Sequence, residues 1–289
     1  MPSTRRNDSK ASGVRRALPG LVISLALVSC VAYAVTHVPS RPQGPRYVGA
    51  GNATPRSGGT FVFGAASDVH SLDPHIAYDA NSYMALRLVY DGLLDYDQEG
   101  QMVPSLATAM PTVSEDGRTF TFQLREGVYF HDSPIFDGPR ELVAEDVRWS
   151  IERLLHPDTG SPGVSFFARL RGFEAYREGR AQHVEGIAVR GRYEIAFTLD
   201  QPDQTFLNAM AMVFAYPVAR ENYEHYAALG DPGEVERNPV GTGPFAFEEW
   251  ERGVQMTFTR NRRYWQPNRP NPDRMVMIEQ LSGETAVGR

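Results

Sequence analysis

The alternation of apolar and polar positions after residue 113 predicts the central sheet of this protein. Phe120, Phe122 and Leu124 alternate with polar residues, which is the period-two pattern of a strand with one buried face. The Asp116-Gly117 pair before them predicts a tight reversal, because glycine adopts positive φ without a Cβ clash. The short apolar run Val128–Phe130 predicts a second strand, so that residues 119–130 form a hairpin.

The period then changes from two to that of a helix. Val147, Ile151, Leu154 and Leu155 fall on one face at spacings of three and four residues. Val143, where the helix is expected to start, has no side-chain oxygen that could cap the first turn. The stretch therefore predicts a hairpin, a loop and an amphipathic helix, which together indicate an α+β core.

Similar patterns predict the elements on either side. We expect a first strand at residues 61–64, and a helix over residues 79–90 with Met84 and Leu88 facing inward and Tyr83 as a further candidate for that face. A hairpin is expected around Gly191, with Ile187 and Val189 in one strand and Ile195, Phe197 and Leu199 in the other. The remaining predictions are helices over residues 206–212 and 221–229, and strands over residues 245–250, 254–260 and 275–278.

Several phrases of the chain resemble one protein family, the family 5 solute-binding proteins of ABC importers. The main phrases are DGRTFTFQLREGVYFHD at residues 116–132, AEDVRWSIERL at 144–154 and NPVGTGPF at 238–245. Shorter ones are LDPH at 72–75, VYDGLL at 89–94 and the pair Tyr264-Trp265. Two positions depart from the family pattern: Ser133 replaces a glycine, and Val143 replaces a capping threonine.

The resemblance implies a mixed α/β, periplasmic-binding-protein-like fold of type II, cluster C, with mixed sheets and packed helices. It extends from about Gly59 to Arg289, so residues 60–289 are expected to form a first lobe. Family members continue into a second lobe, which is expected to be missing here. A lobe alone is expected to bind peptide weakly or not at all, because an open half-cleft does not remove water from a ligand.

The same resemblance implies function by binding rather than catalysis. We expect an extracytoplasmic receptor that captures oligopeptides or similar solutes by hinge closure and delivers them to the permease subunits. No cofactor or metal is expected. Residues near the LDPH loop are the candidate ligand contacts, namely Tyr78, Asp79 and Asn81, followed by Phe214 and Thr242. A structural role stays open for each of them, since Asp79 could simply cap the helix that follows.

The first 38 residues have the pattern of an export segment. Arg5, Arg6, Lys10, Arg15 and Arg16 precede an apolar run from Leu21 to Val38. Leu27–Cys30 fits a lipobox, which predicts lipidation of Cys30 and anchoring on the outer face of the cytoplasmic membrane. An uncleaved transmembrane anchor and a buried core helix are the alternatives. Residues 39–59, rich in proline, glycine and serine, predict a flexible tether.

Charge and residue usage narrow the functional classes. The 289-residue chain has a net charge of −6, and residues 39–289 carry ten more acidic than basic residues. Nucleic acid is therefore not expected as a partner. The single cysteine, Cys30, excludes an intrachain disulfide and a cysteine-based metal cage.

Three local patterns suggest chemistry, and a structural interpretation is favoured for each. His131-Asp132 could form a catalytic pair, but neighbours in an extended chain point to opposite faces. His70 and His75, together with Asp68 and Asp73, could bind a metal, but the spacing of the histidines lacks the helical geometry of a zinc motif. The glycines around Thr242 lack the lysine of a phosphate loop. A truncated lobe that does not bind its ligand is the first alternative function. An exported hydrolase is the second, and the sequence contains no nucleophile arrangement that supports it.

Overall fold

The structure, a computed structural model, describes residues 57–280. Cys30, the predicted anchor and most of the predicted tether lie outside the described residues, so those assignments remain predictions. Within residues 57–280, none of the helices has both the length and the apolar character needed to cross a bilayer.

The described chain contains ten strands and five α-helices. The strands are β1 (Thr60–Gly64), β2 (Leu94–Tyr96), β3 (Met102–Pro104), β4 (Thr112–Val113), β5 (Thr119–Gln123), β6 (Ile187–Val189), β7 (Glu194–Thr198), β8 (Phe245–Glu251), β9 (Gln255–Arg260) and β10 (Arg274–Ile278). The helices are α1 (Ala80–Val89), α2 (Ala144–Leu155), α3 (Phe173–Arg177), α4 (Phe206–Met210) and α5 (Arg220–Ala228).

One four-stranded antiparallel sheet has the order β4-β5-β7-β6. The predicted reversal at Asp116-Gly117 joins β4 to β5, and the predicted hairpin around Gly191 joins β6 to β7. Phe120 and Phe122 are buried and lie opposite Phe197 and Ile195 on β7. Helix α2 packs its predicted apolar stripe against this face, and all four stripe residues are buried.

The predicted hairpin between β5 and residues 128–130 is wrong. The partner of β5 is β7, while Val128 and Phe130 exchange backbone hydrogen bonds with Leu142 and Arg140. Periodicity shows which face of a strand is buried, but it does not identify the neighbouring strand. Here a strand from much later in the chain has taken the neighbouring place in the sheet.

The second four-stranded sheet has the order β1-β10-β9-β8, with β1 parallel to β10 and the other pairs antiparallel. Helix α1 packs over it, and the buried core between them includes Leu86, Val89, Phe258 and Met277. All four of the strands predicted for this region are present.

The inward face predicted for α1 is correct only in part, because Leu88 packs against the core while Met84 and Tyr83 are exposed. Met84 is 37% exposed and Leu88 is only partly buried, whereas Ser82, Ala85, Leu86 and Val89 are buried. The small residues on the observed face suit close packing, and the Ser82 hydroxyl accepts a hydrogen bond from the backbone N–H of His70 at 3.1 Å. The predicted face and the observed face lie side by side on this helix and both contain apolar residues. The tertiary contacts determine which face is buried.

The start of α2 has half of a capping box. Val143 occupies the N-cap position and makes no side-chain cap bond. Asp146, three residues into the helix, accepts a hydrogen bond from the Val143 backbone N–H at 2.8 Å. The first-turn N–H groups that a threonine hydroxyl would satisfy therefore lack that partner.

Candidate ligand-binding surface

Three aromatic rings form a stack that reaches the protein surface. Phe214 is fully buried, and the ring of Tyr78 stacks on it with a centroid distance of 5.3 Å and an interplanar angle of 29°. The ring of Phe166 also stacks on Phe214, at 6.1 Å and 23°. Tyr78 is 66% exposed and Phe166 is 42% exposed. We call these three residues the aromatic shelf.

A glycine allows two segments of the shelf to meet. Phe214 lies in a 3₁₀ turn at Val213–Ala215, and Phe166 lies in another at Val164–Phe167, directly after Gly163. A Cβ at Gly163 would lie 2.5–2.9 Å from three atoms of the Phe214 side chain. Real Cβ atoms do not approach other atoms so closely, and any larger residue at position 163 would push the two turns apart.

The predicted contacts Asp79 and Asn81 flank Tyr78 at the beginning of α1. Asp79 is the N-cap, and its Oδ1 atom accepts hydrogen bonds from the backbone N–H groups of Asn81 and Ser82 at 3.1 and 2.8 Å. The capping role considered from the sequence is therefore present. The Asn81 side-chain amide donates to the Ser67 hydroxyl at 2.5 Å, which connects α1 to the loop after β1.

That loop, residues 65–70, is hydrogen-bonded to the end of β10 and to Glu279, the residue that follows it. The Ala65 N–H donates to the Ile278 carbonyl at 2.8 Å, and the Val69 N–H donates to Glu279 Oε1 at 2.9 Å. Glu279 is buried, and its other oxygen accepts from the Gly253 N–H at 2.7 Å. The polar residues beside the shelf are thus positioned by the second sheet.

Thr242 lies in a different, buried cluster. Its hydroxyl donates to Asp91 Oδ2 at 3.2 Å, and the same carboxylate accepts from the Tyr264 hydroxyl and the Trp265 indole N–H, both at 3.0 Å. Burial raises the pKa of Asp91 to about 6, and the hydrogen bonds from these neutral donors oppose that rise. Three phrases of the family resemblance, VYDGLL, NPVGTGPF and Tyr264-Trp265, meet at this carboxylate.

The LDPH phrase meets helix α2 in a second buried cluster. Arg153 pairs with Asp73 at 2.6 Å and donates to His75 Nδ1 at 2.7 Å, while the Tyr223 hydroxyl donates to Asp73 at 3.2 Å. Burial and the adjacent Arg153 cation lower the pKa of His75 to about 3. Asp73 and His75, which were considered as metal ligands, are instead partners of Arg153 in an ion-pair cluster.

His131 and Asp132 do not share a site. His131 is buried, and its Nε2 lies 2.9 Å from the Gly243 carbonyl oxygen, to which it donates. Burial lowers the pKa of His131 to about 4. Asp132 lies at the surface and pairs with Arg263. Within residues 57–280, no group of three or more His, Cys, Asp or Glu side chains is arranged to hold a metal ion.

The structure therefore brings four of the five predicted contacts together. Tyr78, Asp79, Asn81 and Phe214 lie at or beside the shelf, and Thr242 belongs to the Asp91 cluster. Phe214 and Thr242 have almost no exposed surface. Their assignment as ligand contacts stays a prediction. Sequence reasoning did not select Phe166, although the aromatic pair Phe166-Phe167, which begins three residues after Gly163, was a signal that could have identified it.

Solved structures first define the class of fold. The chain is similar to the ABC transporter-associated periplasmic binding protein DppA from Helicobacter pylori in complex with peptide STSA, with a TM-score of 0.68 and 30% identity; the match covers 80% of this chain and 45% of that chain. A periplasmic oligopeptide-binding protein from Borrelia burgdorferi has a TM-score of 0.71 at 24% identity, with 79% of this chain and 44% of that chain covered. The fold is that of the matched part of periplasmic binding proteins.

The sequence then defines the family. Residues 101–284 match the family described as bacterial extracellular solute-binding proteins, family 5 Middle, and the chain belongs to this family. It is 31% identical over 266 residues to Protein XP55 of Streptomyces lividans, a match that covers 91% of this chain and 40% of the relative. The resemblance recognised in the sequence is confirmed.

The chain is shorter than the relatives that it matches. Di/tripeptide-binding protein 1 of Pseudomonas aeruginosa is 30% identical over 198 residues, which are 66% of this chain and 35% of that protein. The chain thus spans about 35–40% of the length of these curated relatives.

Proposed function

We propose that this chain supplies a peptide-binding surface of an ABC importer's substrate-binding component. The observation that carries the proposal is the aromatic shelf, in which two exposed rings are held in place by the buried ring of Phe214. A structural neighbour solved in complex with a peptide and relatives named for di- and tripeptide binding support the peptide as ligand.

The shelf has the chemistry of a ligand wall. Rigid aromatic rings provide apolar area that side chains of a peptide can cover with little loss of conformational freedom. Asp79 and Asn81 lie beside the rings and are partly exposed, so their polar atoms can meet the peptide backbone. The function is capture and release, with no covalent step, and the buried histidines His75 and His131 contribute to folding rather than catalysis.

The proposal includes a location and partners. The protein acts outside the cytoplasm, held on the outer face of the cytoplasmic membrane by residues 1–38, and it passes its peptide to the permease subunits of the importer. The family description, bacterial extracellular solute-binding proteins, and the basic-then-apolar pattern of the first residues support this location.

The shelf can be tested with the full chain and a mixture of short peptides. Native mass spectrometry identifies the retained peptides, and calorimetry then gives Kd for one of them. Tyr78→Ala and Phe166→Ala should each weaken binding about tenfold, the effect of truncating an aromatic contact at an interface centre. Tyr96→Ala is the control, because Tyr96 is also an exposed tyrosine, at 39%, and lies outside the shelf.

Two results would contradict the proposal. Retention of no peptide by the wild-type chain would contradict peptide capture by this chain and would favour the alternative of a lobe that does not bind peptide by itself. Equal peptide affinities for wild type and both shelf variants would show that the shelf is not the peptide-binding surface. The same mass spectra test the alternative of an exported hydrolase, since cleavage of the retained peptides with turnover would establish an enzyme.

A further inference from the structure

A basic cavity lies at the opposite end of β1 from the loop that adjoins the shelf. Its volume is about 570 Å³, and it is formed by the end of β9, the loop that follows and a residue that precedes β1. The lining residues that matter here are Ser57, Arg260, Arg262, Arg269 and Asp273. We call it the arginine cavity.

One of its three arginines is already neutralised and held in place. Arg260 pairs with Asp273 at 2.9 Å and donates to the backbone carbonyls of Pro272, at 3.0 Å, and Asn271. Asp273 also accepts from the Gly59 N–H at 3.1 Å, so this pair connects the cavity wall to the first residues of the described chain.

The other two arginines have no ion-pair partner among the described residues. Arg262 and Arg269 are exposed, and within residues 57–280 neither has a carboxylate within 4.0 Å or a side-chain hydrogen bond. Exposed arginines elsewhere commonly have such partners, for example Arg220 with Glu224 and Arg274 with Glu248. The cavity therefore carries two positive charges that have no ion-pair partner there. This local charge is opposite in sign to that of residues 39–289 as a whole, which have ten more acidic than basic residues.

This arrangement fits a compact anion. Two guanidinium groups on one concave surface repel each other, and an anion between them relieves that repulsion. Guanidinium groups present their N–H donors as a planar fork that matches phosphate oxygens in pairs. We propose that the arginine cavity binds a phosphate-bearing anion, with Arg262 and Arg269 as the binding residues and Arg260 as the fixed wall.

Such a phosphate could come from a soluble ester or from a lipid headgroup. The cavity adjoins Ser57 and Gly59, which are among the last residues of the predicted tether. A chain anchored through residues 1–38 would be close to anionic lipid. The inference is independent of the proposed peptide binding, because none of the shelf residues lines this cavity.

The first arm of the test measures the full chain with sn-glycerol 3-phosphate by calorimetry at low ionic strength, since salt screens exposed charges. One-to-one binding is expected, and Arg262→Gln and Arg269→Gln should each weaken it about tenfold, as for the loss of a charged hydrogen bond. Arg252→Gln is the control, because Arg252 is exposed, lies over the Trp250 ring and lines a different cavity. Equal weakening by this control would show a non-specific charge effect and overturn the proposal.

The second arm compares binding of the full chain to vesicles of phosphatidylglycerol and of phosphatidylcholine. If the headgroup is the ligand, the double variant Arg262→Gln/Arg269→Gln should lose the preference for phosphatidylglycerol. Glycerol phosphate binding with an unchanged vesicle preference would identify a soluble source. Absence of both effects would overturn the proposal, whatever the peptide affinity of the same samples.

Discussion

The carbonyl oxygen of Val89, the last residue of α1, accepts the backbone N–H of Gly243 at 2.8 Å. A Cβ at Gly243 would lie 2.5 Å from the Val89 carbonyl carbon and 2.6 Å from the Leu88 carbonyl oxygen. A Cβ at Gly241 would lie 2.7 Å from the Tyr90 ring and would also meet the Val89 oxygen. The glycines of the NPVGTGPF phrase thus allow two backbones to touch.

This close approach predicts the effect of adding one methyl group. Gly241→Ala and Gly243→Ala should each lower the free energy of unfolding by at least about 2 kcal/mol, because the helix end and the turn must separate. Urea denaturation measures this change. Gly191→Ala is the matched control, since nothing lies within 4 Å of its Cβ position, and it should change stability by less than about 1 kcal/mol. Equal effects at all three positions would contradict the packing explanation.

The ion pair between Arg153 and Asp73 predicts a large cost for losing the arginine. Asp73 is 2% exposed and Arg153 is 17% exposed, so Arg153→Met leaves a buried carboxylate without its cation. We expect a loss of about 3 kcal/mol in the free energy of unfolding.

A second arginine on α2 provides the control for that prediction. Arg148 pairs with Glu145, whose side chain is 49% exposed, and Arg148→Met should cost about 0.5 kcal/mol or less. Similar losses for the two variants, measured by the same denaturation experiment, would show that side-chain packing rather than charge determines the effect.

The carboxyl group of Asp91 predicts a distinctive pH dependence. Its pKa in the folded protein, about 6, lies above the ordinary value of 3.8, so the folded state binds this proton more tightly than the unfolded state. Its contribution to stability is fully present below pH 3.8 and is lost as the pH rises through 6, by on the order of 3 kcal/mol.

Asp91→Asn should therefore be more stable than wild type at pH 8, with a difference that disappears toward pH 4. Thermal unfolding across this range measures the difference. Asp116→Asn is the control, because the Ser114 hydroxyl lowers the pKa of Asp116 and gives the opposite sign. A constant difference between Asp91→Asn and wild type at all pH values would contradict the prediction.

The lack of a side-chain hydrogen bond at the N-cap of α2 predicts a stabilising substitution. Val143→Thr should raise the free energy of unfolding by about 1 kcal/mol, because its hydroxyl can accept a hydrogen bond from a first-turn N–H. Val143→Ser and Val143→Ala form a second pair that differs only by the hydroxyl. Equal or lower stability of the hydroxyl variant in both comparisons would show that packing of the Val143 side chain matters more.

The lipobox predicts the chemistry of Cys30, which lies outside the described residues. Wild-type chain expressed in bacteria should incorporate labelled fatty acid, and Cys30→Ser should not, because the thiol is the attachment point. Labelling that persists in Cys30→Ser would exclude this assignment. An unlabelled wild-type chain would instead favour the uncleaved transmembrane anchor.

Much of the local structure was predictable because local structure depends on neighbouring residues. The alternation at Phe120 and Phe122 predicted a strand, and the spacing of Val147, Ile151 and Leu154 predicted a helix; both are present with those faces buried. The resemblance of several phrases predicted the family, which the comparisons confirm. Tyr78 and Asp79, which lie at the candidate surface, were also selected from the sequence.

Other features depend on residues that are distant in the sequence, and only the tertiary structure decided them. The strand β5 pairs with β7 rather than with its neighbour, because backbone hydrogen bonding selects a partner by position in space. The inward face of α1 follows from the sheet beneath it. The stacking of Phe166 and Tyr78 on Phe214 and the gathering of three arginines around one cavity likewise require folded geometry. A sequence pattern predicts whether each residue is buried or exposed. A binding surface depends in addition on which distant residues lie next to one another in the folded chain.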